Sequence, residues 1–426
     1  MPKIKPLKGE ITVPGDKSIS HRAVMLGSLS TGTTTVSNFL QGEDCISTIN
    51  AFRQMGVNIE NNLIDKKVTI HGKGLHGLSK PSNPIDVGNS GTTIRILSGI
   101  LCGQRYDTII TGDDSIQSRP MNRIINPLTE MTAKIKSMSD NGLPPLKITG
   151  RGSSPLKGIS YNSPVASAQV KSSILMAGLY ADGLTKITEP TLSRNHTELM
   201  LENFGANILQ EGSVTTIEAE PKLIGQNVNI PGDISSAAYF IVAGLIVPGS
   251  SLLIKDVGIN PTRDGIIEVC KNMGAKITLE NIRYWNKEKV ADIHVEYSDL
   301  NGTEIAGSII PRLIDELTVI AVMACFAKGR TIIKDASELM VKETNRIEVM
   351  VNNLSKLGAN ITATADGMIV DGGKTLHADT IDSKADHRIA MSFAIANLMT
   401  KDEINILGEE CVNISYPSFF KDLDSL

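Results

Sequence analysis

Paired cysteines, aromatic side chains and long apolar runs are all scarce in this chain, and each shortage removes a class of protein. Cysteine occurs five times in 426 residues, as Cys45, Cys102, Cys270, Cys325 and Cys411, an odd number without a Cys-x-x-Cys pair. That excludes a disulfide framework and a cysteine-based zinc site, and points to buried thiols in a reducing compartment. Aromatic residues make up 4% of the chain, too few for a base-stacking platform. The net charge is −4 with no basic stripe, so no nucleic-acid partner is expected. No run reaches membrane-helix length, and the opening "MPKIKPLKGEITV" lacks an apolar signal core. A cytoplasmic protein with no membrane partner is therefore expected. No His, Cys or carboxylate cluster has metal-ligand spacing, so neither a metal nor another cofactor is expected.

What the chain does have is glycine, at 37 residues, and a 41% hydrophobic content, enough for two domains with cores of their own. It also repeats itself. "FRQMGVNIE", "LENFGANIL", "CKNMGAKIT" and "LSKLGANIT" share one grammar: an apolar-periodic helix, a Gly stop and an alternating strand. "LTEMTAKIK" follows the same grammar without the Gly. Small-residue apolar helices begin near Ser18, Gly91, Ser167, Ser235, Asp315 and Asp386, roughly 70 residues apart and so far beyond a solenoid period. Six units of about two helices and three or four strands account for the chain.

"PGDKSISHR" at Pro14–Arg22 and "PGDISSAAY" at Pro231–Tyr239 open the first and fourth units. One Pro-Gly-Asp before Ser is an ordinary turn and helix cap. Two at matching places favour duplication: an α/β chain of two similar three-unit domains. One domain would comprise 1–16 plus 234–426 and the other 17–233, with hinge crossings near 14–17 and 231–234. The shared Pro, Gly, Asp and Ser serve the turn; Lys17 and Arg22 are not shared, so the scaffold does not need them, and the second copy reads as scaffold alone. A P-loop is excluded by spacing, since Asp16 precedes Lys17 and Ile11 stands where the outer Gly belongs.

Other helix starts are polar too: "GNSGTTIR", with Asn89, Ser90, Gly91 and Arg95; "SPVASAQVKSS", with Ser167 and Gln169; "PRLIDELTVI", with Asp315 and Glu316; and "KADHRIAMSF", with Asp386 and Arg388. Capping accounts for Ser18, Ser90 and Asp386. It does not account for Lys17, Arg22 or Arg388, because the helix dipole disfavours cations there while a bound anion would favour them. Arg119 before Pro120 reads the same way, as a cation at a helix start. Lys342 and Arg346 are four apart, on one helical face, where a solvated face with a Glu343–Arg346 pair is an equally good local explanation. Together the cations suit a small substrate set carrying phosphate and carboxylate, with Asp315 and Glu343 as acid–base candidates.

At these residues the chain resembles the 5-enolpyruvylshikimate-3-phosphate synthase family, from about Leu7 to Phe420. The carriers are "PGDKSISHR", "GNSGTTIR", "SRPM", "ASAQVKSS", "LIDE", "VKETNR" and "DHRIAMSF". The resemblance implies a two-domain inside-out α/β barrel of six βαβαββ units, three per domain, with the N-terminal strand joining the C-terminal domain. It implies transfer of enolpyruvyl from phosphoenolpyruvate to the 5-hydroxyl of shikimate 3-phosphate. Lys17, Ser18, Arg22, Ser167, Ala168, Gln169, Arg194, Asp315 and Lys342 would hold shikimate 3-phosphate. Lys17, Asn89, Gly91, Arg119, Gln169, Arg346 and Arg388 would hold phosphoenolpyruvate. Asp315 would take the hydroxyl proton, and Glu343 with Lys17 would handle the methylene carbon. Closure of the two domains would exclude water. A monomer is expected, and Gly91 implies sensitivity to glyphosate.

Two departures stand out: Ile414 replaces the family's common C-terminal Lys, and Arg194 stands in the region where some members use a Tyr. A sister family acting on UDP-N-acetylglucosamine carries a reactive Cys before the Arg-Pro pair, and "TGDDSIQSRP" has none. A non-catalytic anion binder would avoid carboxylates among its cations, which speaks against that alternative.

Overall fold

The computed structural model describes residues 5–426, a mixed α/β chain that divides into two compact units. One comprises the chain through Pro14, Pro231–Tyr284 and Lys289–Leu426; the other comprises Gly15–Ile230 and Trp285–Glu288.

In the Gly15–Ile230 unit, three four-stranded sheets share one strand order. In the first, Asn227–Asn229 runs parallel to Thr31–Ser37, which pairs antiparallel with Lys67–Lys73 and through it with Asn58–Asn62. The second repeats this with Ile85–Asp86, Thr108–Thr111, Leu146–Thr149 and Lys134–Ser137. The third repeats it with Ser160–Asn162, Thr185–Thr188, Val214–Ile217 and Ile208–Glu211. In the other unit, Lys8–Thr12 runs parallel to Ser251–Gly258 in a sheet of the same order, and Glu304–Ile305 opens another. The last segment departs from the pattern: Thr380–Asp382 and Asn405–Leu407 form a two-stranded sheet. After it, Gly408 turns the chain into the 3-10 helix Glu409–Ile414 instead of a hairpin.

Six small-residue helices fill the cores: Lys17–Leu29, Gly91–Cys102, Ala168–Gly178, Ile234–Ile246, Leu317–Phe326 and His387–Asn397. They are apolar on nearly every side because they are enclosed on nearly every side; all thirteen residues of Ile234–Ile246 are buried. Small residues let such helices touch. A Cβ at Gly99 would lie 2.1 Å from the Ser173 carbonyl oxygen, so glycine there brings the Gly91 and Ala168 helices together.

The helix exits show the repeat surviving a sequence change. Gly56, Gly205, Gly274 and Gly358 leave their helices at φ between 82° and 99°. Thr132 takes the same left-handed turn at φ 69°. A β-branched residue is strained in that region, so the surrounding turn imposes the conformation that Gly adopts freely elsewhere.

Among the described residues no helix is long and apolar enough to cross a membrane, and no group of three or more His, Cys, Asp or Glu side chains could hold a metal ion. All five cysteines are buried, and burial pushes the Cys270 and Cys325 thiols up to about 12.

Candidate active site

In the Gly15–Ile230 unit, the turn after Pro14 aims the Lys17 helix. Asp16, not Ser18, is its cap: the Asp16 carboxylate accepts from the Ile19 N–H at 2.9 Å. Ser18 therefore lies inside the first turn and does not cap the helix. Lys17 Nζ stands 2.8 Å from Asp44 Oδ2. Arg22 sits one turn further in, 3% exposed. It donates to Thr197 Oγ1 at 2.6 Å, Ser172 Oγ at 2.7 Å and the Ser18 carbonyl at 2.9 Å. Burial lowers its pKa to about 10, against the pull of Glu198 and Asp16. A guanidinium desolvated this far gains from a bound anion more than an exposed one would.

Beneath Arg22 lies a buried ion triad that the sequence pattern does not reveal. Lys171 Nζ pairs with Glu189 at 2.8 Å and Glu198 at 2.7 Å, all three 3% exposed or less. Lys171 also donates to the Ser193 carbonyl, and Ser193 N–H to Glu189. This fastens the loop that carries Arg194. Ser167 caps the Ala168 helix, so Ser167, Ala168 and Gln169 all lie at one helix start.

A second cluster forms where the Gly91 helix begins. Ser90 caps it. Arg119 donates to Asn89 Oδ1 at 3.0 Å and Ser115 Oγ at 3.1 Å, and Asn89 donates to Asp113 at 2.9 Å. Arg95 reaches Gln169 Oε1 at 2.8 Å, and Gln169 reaches Thr92 at 3.1 Å. A Cβ on Gly91 would lie 2.9 Å from Arg95 Nη1 and 3.0 Å from Arg119 Nη1. Arg95, to which the resemblance assigns no role, thus belongs to the cluster, and its place in "GNSGTTIR" one turn after Gly91 is the local signal for it. The reading of Arg119 as a cation at a helix start is corrected: it follows the helix Asp114–Gln117, and the next helix begins only at Asn122.

His21 lies between these clusters, fully buried, with Nδ1 2.7 Å from Thr48 Oγ1. Burial, with Lys17 and Arg22 nearby, holds its pKa well below 6.5. The unfolded chain therefore binds a proton below pH 6.5 that the folded chain refuses. The expected outcome is stability that falls as pH drops through that value, by up to about 1.4 kcal/mol per pH unit from this group. Urea unfolding at about pH 5 and about pH 7 should show a smaller difference in His21→Asn than in the natural chain.

In the other unit, three segments meet at Arg346, which is 1% exposed. Its guanidinium contacts Asp386 Oδ2 at 2.7 Å, Asp315 Oδ1 at 3.3 Å and Glu343 Oε2 at 2.5 Å. Burial opposes the charge, but Asp386, Glu343 and Asp315 outweigh it and hold the pKa above the ordinary range. Lys342 Nζ lies 3.3 Å from Asp315 Oδ1, and Arg388 Nε lies 3.9 Å from it. Asp315 is thus set among three cations, with Glu343 on the same Arg346. Lys342 and Arg346 do not share a helical face: Lys342 ends the 3-10 helix Ser337–Val341, and the α-helix begins at Arg346. Asp315 joins them instead. Asp386 both binds Arg346 and caps the His387 helix through Arg388 N–H at 2.9 Å.

The second Pro-Gly-Asp copy is more than bare scaffold. Arg263, buried, reaches Asp233 Oδ1 at 3.2 Å and Ser235 Oγ at 2.7 Å, and Ser235 donates to Glu316, next to Asp315. Its charge partner comes from "NPTRD", outside the copy, where no local pattern marks it. Ile414 packs as a partly buried apolar residue on the core.

Each unit gathers cations at small-residue helix starts, and one unit sets carboxylates among them; this defines the class, a protein equipped for chemistry on small polyanionic substrates. The model of the family EPSP synthase (3-phosphoshikimate 1-carboxyvinyltransferase) matches residues 1–423. A 3-phosphoshikimate 1-carboxyvinyltransferase of Thermoanaerobacter sp. (strain X514) is 57% identical over 420 residues, spanning 99% of this chain and 98% of its own. One of Brevibacillus brevis is 54% identical over 415 residues, spanning 97% and 96%. The solved EPSP synthase from Acinetobacter baumannii matches with a TM-score of 0.90 and 46% identity, covering 100% of this chain and 97% of that one. The enolpyruvyl transferase NikO from Streptomyces tendae shares the fold, with a TM-score of 0.80, 15% identity and coverage of 99% and 95%. The chain belongs to the EPSP synthase family.

Proposed function

We infer that the chain transfers the enolpyruvyl group of phosphoenolpyruvate to the 5-hydroxyl of shikimate 3-phosphate, giving 5-enolpyruvylshikimate 3-phosphate and phosphate. In the addition step a C–O bond forms between the 5-oxygen and C2 of phosphoenolpyruvate while C3 takes a proton. In the elimination step the C2–O bond to phosphate breaks and C3 returns a proton. Asp315 takes the hydroxyl proton; Glu343, with Lys17, serves C3. Arg22, Ser18, Ser167, Ala168, Gln169, Arg194 and Lys342 hold shikimate 3-phosphate. Asn89, Gly91, Arg119, Arg346 and Arg388 hold phosphoenolpyruvate, with Lys17 and Gln169 touching both. Fixed cations and helix starts stabilise charge through the tetrahedral intermediate without reorganising.

The observation that carries this reading is Asp315, held by Lys342 and Arg346 beside Glu343. An anion binder gains nothing from carboxylates there, whereas an addition–elimination needs both. Phosphate release with both substrates present tests it: release only in the presence of both is expected, and binding without release would leave a non-catalytic module.

The finer architecture belongs to the same reading: two inside-out α/β barrels of three βαβαββ units each. Its support is the shared strand order of the four-stranded sheets. The crossings at 14–17 and 231–234 would act as the hinge that lets both sets of residues serve one substrate pair, and the protein would work as a monomer.

Glyphosate, as a phosphoenolpyruvate competitor, should inhibit. Gly91→Ala would push Arg95 and Arg119 aside. It should raise the half-inhibitory concentration by about tenfold or more, with a smaller rise in the KM for phosphoenolpyruvate. Full activity of the natural chain in millimolar glyphosate would refute the sensitivity.

A further inference from the structure

We infer that His21, Thr48, Thr93 and Ser90 form a buried relay through which the Lys17 helix positions the anion site at the start of the Gly91 helix. The chain is continuous. His21 Nδ1 lies 2.7 Å from Thr48 Oγ1, Thr48 Oγ1 lies 2.7 Å from Thr93 Oγ1, and Thr93 Oγ1 lies 2.7 Å from Ser90 Oγ. Ser90 Oγ also accepts the Thr93 N–H at 3.1 Å, so the relay ends on the cap that shapes the Asn89–Gly91 turn. Thr48 belongs to the helix Glu43–Gln54, whose Asp44 holds Lys17.

Two observations separate this relay from ordinary packing. All four side chains are 0% exposed, and a row of polar groups buried this deeply costs stability unless each hydrogen bond is made. The matching place in the second Pro-Gly-Asp copy carries Ala238, also 0% exposed, so the helix packs without a histidine. With Nδ1 as the protonated nitrogen, the relay runs as a single file of donors: Nδ1–H to Thr48, Thr48 to Thr93 and Thr93 to Ser90. His21 and Thr48 are positioning residues, since they act on the anion site through Ser90.

The inference rests on the assignment of Asn89, Gly91 and Arg119 to phosphoenolpyruvate. Thr48→Val keeps the shape and loses the relay; Thr48→Ser keeps the hydroxyl and loses a methyl. Calorimetric binding of phosphoenolpyruvate, the two KM values, kcat and Tm are measured for each. The expected result is that Thr48→Val weakens phosphoenolpyruvate binding and raises its KM by about tenfold, with kcat within about threefold, while Thr48→Ser stays near the natural values. His21→Ala combined with Thr48→Val should add little further loss, because both break one chain. Natural affinity in Thr48→Val, or a larger affinity loss in Thr48→Ser than in Thr48→Val, would overturn the relay. The binding measurement stands whether or not turnover occurs. Absence of phosphate release by the natural chain would sink the proposed reaction, not the relay.

Discussion

Asp315→Ala is expected to lower kcat by about two to four orders of magnitude while leaving shikimate 3-phosphate binding intact or tighter. The carboxylate lies 3.3 Å from both Lys342 Nζ and Arg346 Nη1, and 3.9 Å from Arg388 Nε. On the proposed assignment, removing it deletes the base for the 5-hydroxyl. It also removes a negative charge that competes with substrate anions for those three cations. A residue serving only structure would show the opposite split, with weaker binding and little change in turnover. Phosphate release gives kcat, and calorimetry gives the dissociation constant for shikimate 3-phosphate. Turnover within tenfold of the natural chain would show that another group takes the proton.

Asp386→Ala should give the largest stability loss of any single change at this site. Asp386 is 0% exposed and contacts Arg346 through both oxygens, at 2.7 Å and 3.2 Å. Removing one partner of a buried ion pair typically costs about 3–5 kcal/mol, because the other charge stays desolvated. Asp315 and Glu343 still face Arg346, which sets the expected cost toward the lower end. The same substitution removes the cap on the His387 helix, worth about 1 kcal/mol. Asp386→Asn separates the two effects, since Asn caps nearly as well but carries no charge. Thermal unfolding should rank the natural chain above Asn and Asn above Ala, with a fall in Tm on the order of 10 °C for Ala. Equal Tm values for Asn and Ala would mean that the cap contributes nothing. Both variants should raise the KM for phosphoenolpyruvate, because Arg346 loses the group that aims it.

The two substitutions also show where reading by pattern stops. The helix starts, the glycine exits and the cations at Lys17, Arg22, Arg119, Arg346 and Arg388 stand out along the chain. Their spacing, and the mismatch of Lys17, Arg22 and Arg388 with the helix dipole, are local properties. The partners of those cations are not local. Arg22 meets Thr197, 175 positions away, and Arg346 meets Asp386, 40 positions away. By spacing alone Lys342 falls on the Arg346 helix and Arg119 at a helix start, because a helix boundary set by tertiary contacts leaves no local mark. In "LTEMTAKIK" the Gly of the pattern is missing, yet Thr132 keeps the same left-handed turn as the glycines.

By itself, then, the sequence determined the α/β class, the repeating helix–strand grammar and the polyanion chemistry of the site. Periodicity, capping residues and unexplained charge are written in neighbouring residues. The tertiary structure alone decided which charges neutralise which: Asp44 against Lys17, Lys171 between Glu189 and Glu198, Arg263 against Asp233, and Asp315 among Lys342, Arg346 and Arg388. A buried charge tolerates only a close partner, and which residue becomes that partner depends on how segments distant in sequence are brought together.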